Sequence, residues 1–218
     1  MAKNPSPAPI GRALPVVLAL VMWLAVWLTA GLLPGPAGAA EPHPLLGKPA
    51  PILSGRAAFG TGLVSLNRLR QQVVAERDAQ GKAVLKDGKP NLRVLSNAVV
   101  LNFFATYCVP CVQEIPTFNR IAETYRGRRV RFLYVNVDTE KSETEVRAFA
   151  KAKGIEVEMM LPSVRYALKA YRIEALPRIV IVAPDGVVAH VILGFQDDLE
   201  AQLAELLKEV LPAENAAG

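Results

Sequence analysis

The stretch that most limits what this chain can fold into runs from Ala98 to Pro116. Ala98-Val99-Val100-Leu101-Asn102-Phe103-Phe104 is a continuous apolar run with a single amide, the pattern of a strand buried on both faces. Just past it, Cys108-Val109-Pro110-Cys111 opens a segment in which Val112, Ile115, Phe118, Ala122 and Tyr125 recur at helical spacing. A buried strand thus delivers the chain's only two cysteines to the start of a helix. Pro110 is tolerated in a first helical turn, where its missing N–H has no partner to lose. Pro116 lies inside the pattern and is expected to kink it.

The cysteine spacing points to redox work. A disulfide across two intervening residues closes too short a loop to stabilise a fold by much, since chain-entropy stabilisation grows with loop length. The same pair is well placed for exchange. Cys108 falls where unpaired helix amides favour a thiolate, and Cys111 follows one turn later, in reach of a mixed disulfide. Neither Val109 nor Pro110 offers charge or a side-chain hydrogen bond, so a strongly stabilised thiolate is not expected, which favours a reductant over an oxidant. Zinc is the competing use of such a pair, but a structural site wants about four ligands. Only His43 and His190 could join, one in a linker and one in a late strand, so no metal and no cofactor is expected. Glu114 shares the cysteines' side of the helix. On spacing it reads either as an ordinary exposed glutamate or as a proton acceptor for a thiol. Leu176-Pro177 precedes a strand, a setting open to either peptide isomer.

The remaining elements follow in alternation. Ser65 is expected to cap a helix over 66–80, and Asp87-Gly88 marks a tight hairpin turn. Strands are expected over 130–138, 157–161, 178–182 and 187–193, and helices over 143–153 and 164–171. A final helix starts at Asp197 or Asp198, with Leu199, Leu203, Leu206, Leu207 and Val210 as its stripe. Such an order implies an α/β domain with a mixed central sheet flanked by helices. No phosphate-loop or dinucleotide pattern occurs.

The formal charge is +5, but Lys3 and Arg12 lie ahead of an apolar segment and the rest is nearly balanced, so nucleic acid is not an expected partner. The densest basic run, Arg126 to Arg131, reads as a solvated turn. From Ala13 to Leu33 no residue is charged, a length of roughly 30 Å as a helix. Ala37-x-Ala39 follows and suits signal peptidase. Residues 1–40 are therefore either a cleaved signal, cut near Ala39, or an inner-membrane anchor over 13–33. Both readings leave Lys3 and Arg12 in the cytoplasm and the rest outside, facing the periplasm. Residues 41–53 read as a proline-rich linker, 54–97 as an N-terminal extension without evident chemistry, 95–211 as the core domain and 212–218 as a tail.

The segment from Phe103 to Pro116, FFATYCVPCVQEIP, resembles the active-site motif of thioredoxin-like proteins. Its Glu114-x-Pro116 ending is similar to the TlpA/ResA branch of extracytoplasmic thiol–disulfide oxidoreductases. Tyr134-Val135-Asn136-Val137-Asp138, Ala175-Leu176-Pro177-Arg178 and Val182-Ala183-Pro184-Asp185-Gly186 resemble that family's second strand, cis-proline turn and hairpin. The resemblance covers 95–211. It implies a thioredoxin fold, Cys108 as the attacking thiol, Cys111 as the buried resolving thiol and Pro177 in cis. It further implies Glu114 as the proton-handling carboxylate, and Tyr107, Val109, Pro110 and Leu176 as contacts to a substrate chain. The branch reduces protein disulfides in cytochrome c maturation or copper-centre assembly, with electrons from a membrane thiol transporter of the CcdA/DsbD type. Tyr107 stands where the family usually has tryptophan, and Asn102 where cytoplasmic thioredoxins have a buried acid. The extension over 54–97 is longer than the usual family lead-in, carries none of the motifs of the resemblance and is expected to shape partner choice. Two other readings of the dithiol are a Cu(I)-binding assembly factor and a redox-inactive binding module. Peroxide reduction on the same fold wants a threonine three residues before the reactive cysteine, where this chain has Ala105.

Overall fold

The computed structural model describes residues 42–212. The apolar segment over 13–33, the cleavage motif ending at Ala39 and most of the tail lie outside the described residues. Among the described residues no helix is long and apolar enough to cross a membrane.

A mixed sheet organises the domain. Its strands are β1 (Ser54–Ala57), β2 (Leu63–Ser65), β7 (Ala98–Phe104), β8 (Val130–Asn136), β9 (Met159–Pro162), β10 (Arg178–Val182) and β11 (Val188–Leu193), in the spatial order β11-β10-β7-β8-β9-β1-β2. The pairs β7–β8 and β8–β9 are parallel and the others antiparallel. Every residue of β7 is buried, which explains its unbroken apolar run.

Side-chain alternation splits the core into two layers. Val100, Phe104, Tyr134, Ile179 and Ile181 face α2 (Val109–Thr124), α3 (Glu143–Ala152) and α5 (Leu199–Val210). Val99, Leu101, Phe103, Val135 and Val180 face α1 (Leu66–Arg70) and α4 (Val164–Ala170). Helix α2 is continuous across Pro116, and Ile115, Phe118 and Ile121 are its buried stripe.

The helix expected over 66–80 is a correction. Ser65 does cap a helix, its hydroxyl accepting the Arg68 N–H, but that helix ends at Arg70. The chain then turns into β3 (Gln71–Ala75), paired antiparallel with β6 (Leu92–Ser96), with Val73 opposite Val94. Pairing of β-branched residues across a ribbon overrides the helical spacing of Leu66, Leu69 and Val73. The hairpin at Asp87-Gly88 forms between β4 (Leu85–Lys86) and β5 (Lys89–Pro90), with φ of 52° and 73° at its two central residues. Arg129 and Arg131 tie the ribbon to the start of β8 through the Ser96 carbonyl and the Gln72 amide oxygen. Residues 43–51 run against the β10–β11 hairpin, with the N–H groups of Gly47 and Ala50 donating to Val188 and Gly186.

Candidate active site

Cys108 is the N-cap of α2. Its backbone is extended, and its Sγ accepts the Cys111 N–H at 3.2 Å. A sulfur thus takes the capping role usually filled by oxygen, at the positive end of the helix dipole. Cys108 and Cys111 are joined in a disulfide, with Cα atoms 5.2 Å apart. Cys108 is 9% exposed and Cys111 2%. Cys108 is thus the less buried of the two, and of the pair it alone lines the groove beside the site.

The turn that presents Cys108 is fixed from below. The Cys108 N–H donates to the Ala105 carbonyl at 3.1 Å. The Thr106 N–H donates to both carboxylate oxygens of Asp138, at 3.2 and 3.0 Å, and the Thr106 hydroxyl donates to Oδ1 at 2.8 Å. Asn136 Nδ2 donates to Asp138 Oδ2 at 2.5 Å. All three side chains are buried. Sequence reasoning missed this trio. The available signal was an Asn-x-Asp pair closing an otherwise apolar strand, with a threonine just ahead of the cysteines.

A largely apolar groove of about 570 Å³ opens beside Cys108. Its lining includes Tyr107, Val109 and Pro110 around the cysteine, Val137 and Thr139 after β8, and Leu168, Ile173, Glu174 and Leu176 from the segment that leads to Pro177. Tyr107 and Val109 are 65% and 66% exposed. The Leu176–Pro177 peptide is cis, and the buried Pro177 accepts the Gly194 N–H through its carbonyl at 3.0 Å. The groove thus brings together Cys108, Tyr107, Val109, Pro110 and Leu176.

Glu114 lies on the buried side of α2, 2% exposed. Among the described residues, neither carboxylate oxygen has a hydrogen-bond partner at normal distance. Burial lifts its pKa to about 7, against smaller downward pulls from the Gln196 backbone and the Asn102 amide. Asn102 faces this side because it alternates with Val100 and Phe104. Tyr134 lies in the same layer, its hydroxyl donating to the Ile115 carbonyl at 3.5 Å. Its own pKa is raised by burial and then by the nearby Glu114.

The histidines go elsewhere. His190 Nε2 lies 3.1 Å from Glu209. His43 is half-buried near Arg178, and its pKa is lowered by burial and then by that guanidinium. Neither lines the groove. Among the described residues, no group of three or more His, Cys, Asp and Glu side chains is arranged to hold a metal ion.

Comparison with known proteins gives this geometry a context. The AhpC/TSA family matches residues 66–191, more than half of the chain. The thiol-disulfide oxidoreductase ResA of Geobacillus kaustophilus is 31% identical over 129 residues, 56% of this chain and 73% of that protein. ResA of Bacillus subtilis is 29% identical over 140 residues, 64% and 73% of the two chains. A thioredoxin-family thiol:disulfide interchange protein of Chlorobium tepidum superposes with a TM-score of 0.56 at 23% identity, over 80% of this chain and all of that one. The thioredoxin domain of a Bacteroides vulgatus thiol-disulfide oxidoreductase gives 0.55 at 18%, covering 73% and 96%. With its sheet, its helix-capping cysteine pair and these relatives, the chain belongs to the AhpC/TSA family as a ResA-like thiol–disulfide oxidoreductase of thioredoxin fold.

Proposed function

We propose that the protein works outside the cytoplasm as a reductase of protein disulfides, of the kind serving cytochrome c maturation or copper-centre assembly. The observation that carries this reading is the asymmetry of the pair: Cys108 at the rim of an apolar groove, Cys111 sealed behind it. In the dithiol form, the Cys108 thiolate attacks one sulfur of a substrate disulfide. The S–S bond breaks, one substrate thiolate leaves and a mixed disulfide forms. Cys111 then attacks Cys108, releases the second substrate thiolate and closes the Cys108–Cys111 disulfide. Two electrons have passed to the substrate. Glu114, buried on the same helix, is the acceptor for the Cys111 proton. Tyr107, Val109, Pro110 and Leu176 hold the substrate chain, with the backbone before Pro177 pairing to it as an added strand. A membrane thiol transporter of the CcdA/DsbD type restores the dithiol. The apolar N-terminal segment carries the domain out of the cytoplasm.

The valine–proline spacer supports the reducing direction, since it adds no charge to stabilise a thiolate. Peroxide reduction has little support: Ala105 offers no hydroxyl, and that of Thr106 is committed to Asp138. Family membership alone does not choose among the reactions a fold can host. The test is trapping. Cys111→Ser should accumulate a mixed disulfide between Cys108 and its natural substrate, identified by mass spectrometry, and Cys108→Ser should lose reduction of a model disulfide. Retained turnover in the Cys108 variant would overturn the reading.

A further inference from the structure

The mechanism above leaves Asp138 unused, although it is among the few buried charged side chains of the domain. It stands just past β8, where Val137 and Thr139 on either side line the groove. Its carboxylate oxygens receive donors only: the Thr106 N–H, the Thr106 hydroxyl and the Asn136 amide. An acceptor-only set of this kind holds an ionised carboxylate rather than a carboxylic acid. A second bond closes the same unit, as the Val137 N–H donates to the Phe104 carbonyl at 2.9 Å. The turn 105–108 therefore hangs from the end of β8, and the group holding it is a carboxylate bonded to Thr106, two residues before Cys108 in the chain.

We propose that Asp138 is a positioning residue that fixes Cys108 and, through its charge, keeps the pair reducing. The inference rests on Cys108 being the attacking thiol. Two opposed fields act on that thiol. The α2 N-terminus stabilises its thiolate, and a fixed carboxylate beneath the turn opposes it. A less stabilised thiolate is a less stabilised dithiol form, and hence a stronger reductant. The buried side chain of a charged residue is costly to keep. Anchoring the turn would need only a neutral acceptor, so the charge itself is the feature that the redox role accounts for.

The other ionisable groups of this part of the fold are Glu114, buried on α2, Tyr134 on β8, and Tyr107 and Glu174, which line the groove with Cys108. All of them stay in place in the test. Asp138→Asn keeps an oxygen for Thr106 and removes the charge. The Cys108 thiol pKa, read from the pH dependence of alkylation of the reduced chain, should fall by about one pH unit. The equilibrium with glutathione, above both thiol pKa values, should shift about tenfold toward the dithiol. Thr106→Val keeps the charge and loses the hydroxyl anchor. It should lower turnover without lowering the thiol pKa. A thiol pKa unchanged in Asp138→Asn would overturn the proposal. Should that variant not fold, the wild-type chain serves: the Asp138 carboxyl carbon resonance should move at the ionisation midpoint of Cys108, and a resonance indifferent to it would refute the coupling. Alkylation mapped by mass spectrometry to Cys111 first would instead refute the assignment of Cys108 on which the proposal rests.

Discussion

Replacing Glu114 by glutamine tests the buried carboxylate directly. In the oxidised protein its pKa stands at about 7, against 4.5 for an unburied glutamate. Between those values the unfolded chain has lost this proton and the folded chain keeps it. The folded state binds more protons there, so stability falls as pH rises, by about 1.4 kcal/mol per pH unit for this one group. The contribution is fully favourable only below 4.5, and the loss is complete once pH passes about 7. Over that interval it amounts to about 3 kcal/mol, an upper bound because water admitted to the site would soften it. Glutamine keeps the shape of the protonated acid and cannot ionise. Urea unfolding of both oxidised proteins at pH 4, 5, 6, 7 and 8 should show nearly equal stabilities at pH 4. The variant should be the more stable at pH 8, with unchanged dependence on urea. Two curves that stay parallel from pH 4 to 8 would refute the argument. The stabilised variant should nevertheless be the poorer enzyme, having lost the proposed acceptor for the Cys111 proton.

Two further substitutions probe the scaffold. A Cβ added at Gly55 would lie 2.4 Å from the Leu161 carbonyl oxygen, so Gly55→Ala should push β1 away from β9 and cost on the order of 2 kcal/mol by urea melt. An unchanged midpoint would contradict that packing. Ser142 and Glu145 form a reciprocal capping box at the start of α3. Ser142→Ala should cost about 1 kcal/mol with redox activity intact, measured by the same melt and by disulfide reduction.

How far the sequence could be read depends on where information is local. Residues 98–116 announced themselves because a strand buried on both faces and a helix with one apolar stripe have distinct periods. The ribbon 71–96 did not. Val73 and Val74 fit a helical stripe, and only their partners some twenty residues on, Val94 and Arg93, make them a strand. Glu114 illustrates a different limit. Its spacing gave the side of the helix, but its burial is set by the elements that pack over α2, and no local pattern reports that. Asp138 was hidden for a similar reason: its principal donor, Thr106, sits in the loop after another strand, and an acidic residue after a strand ordinarily reads as a turn.

The added strands at the sheet's margin bear on how this domain can be handled. The family match begins at residue 66, after β1 and β2 have already passed. A fragment trimmed to that match would strip β1 from β9 and bare a parallel-sheet edge carrying Met159 and Met160, both now buried. An unpaired apolar edge is a template for pairing with another chain. Cut at the family boundary, the protein would be expected to self-associate; cut ahead of Leu53, it would keep its own edge occupied. The lead-in thus covers a sheet edge that would otherwise stand open.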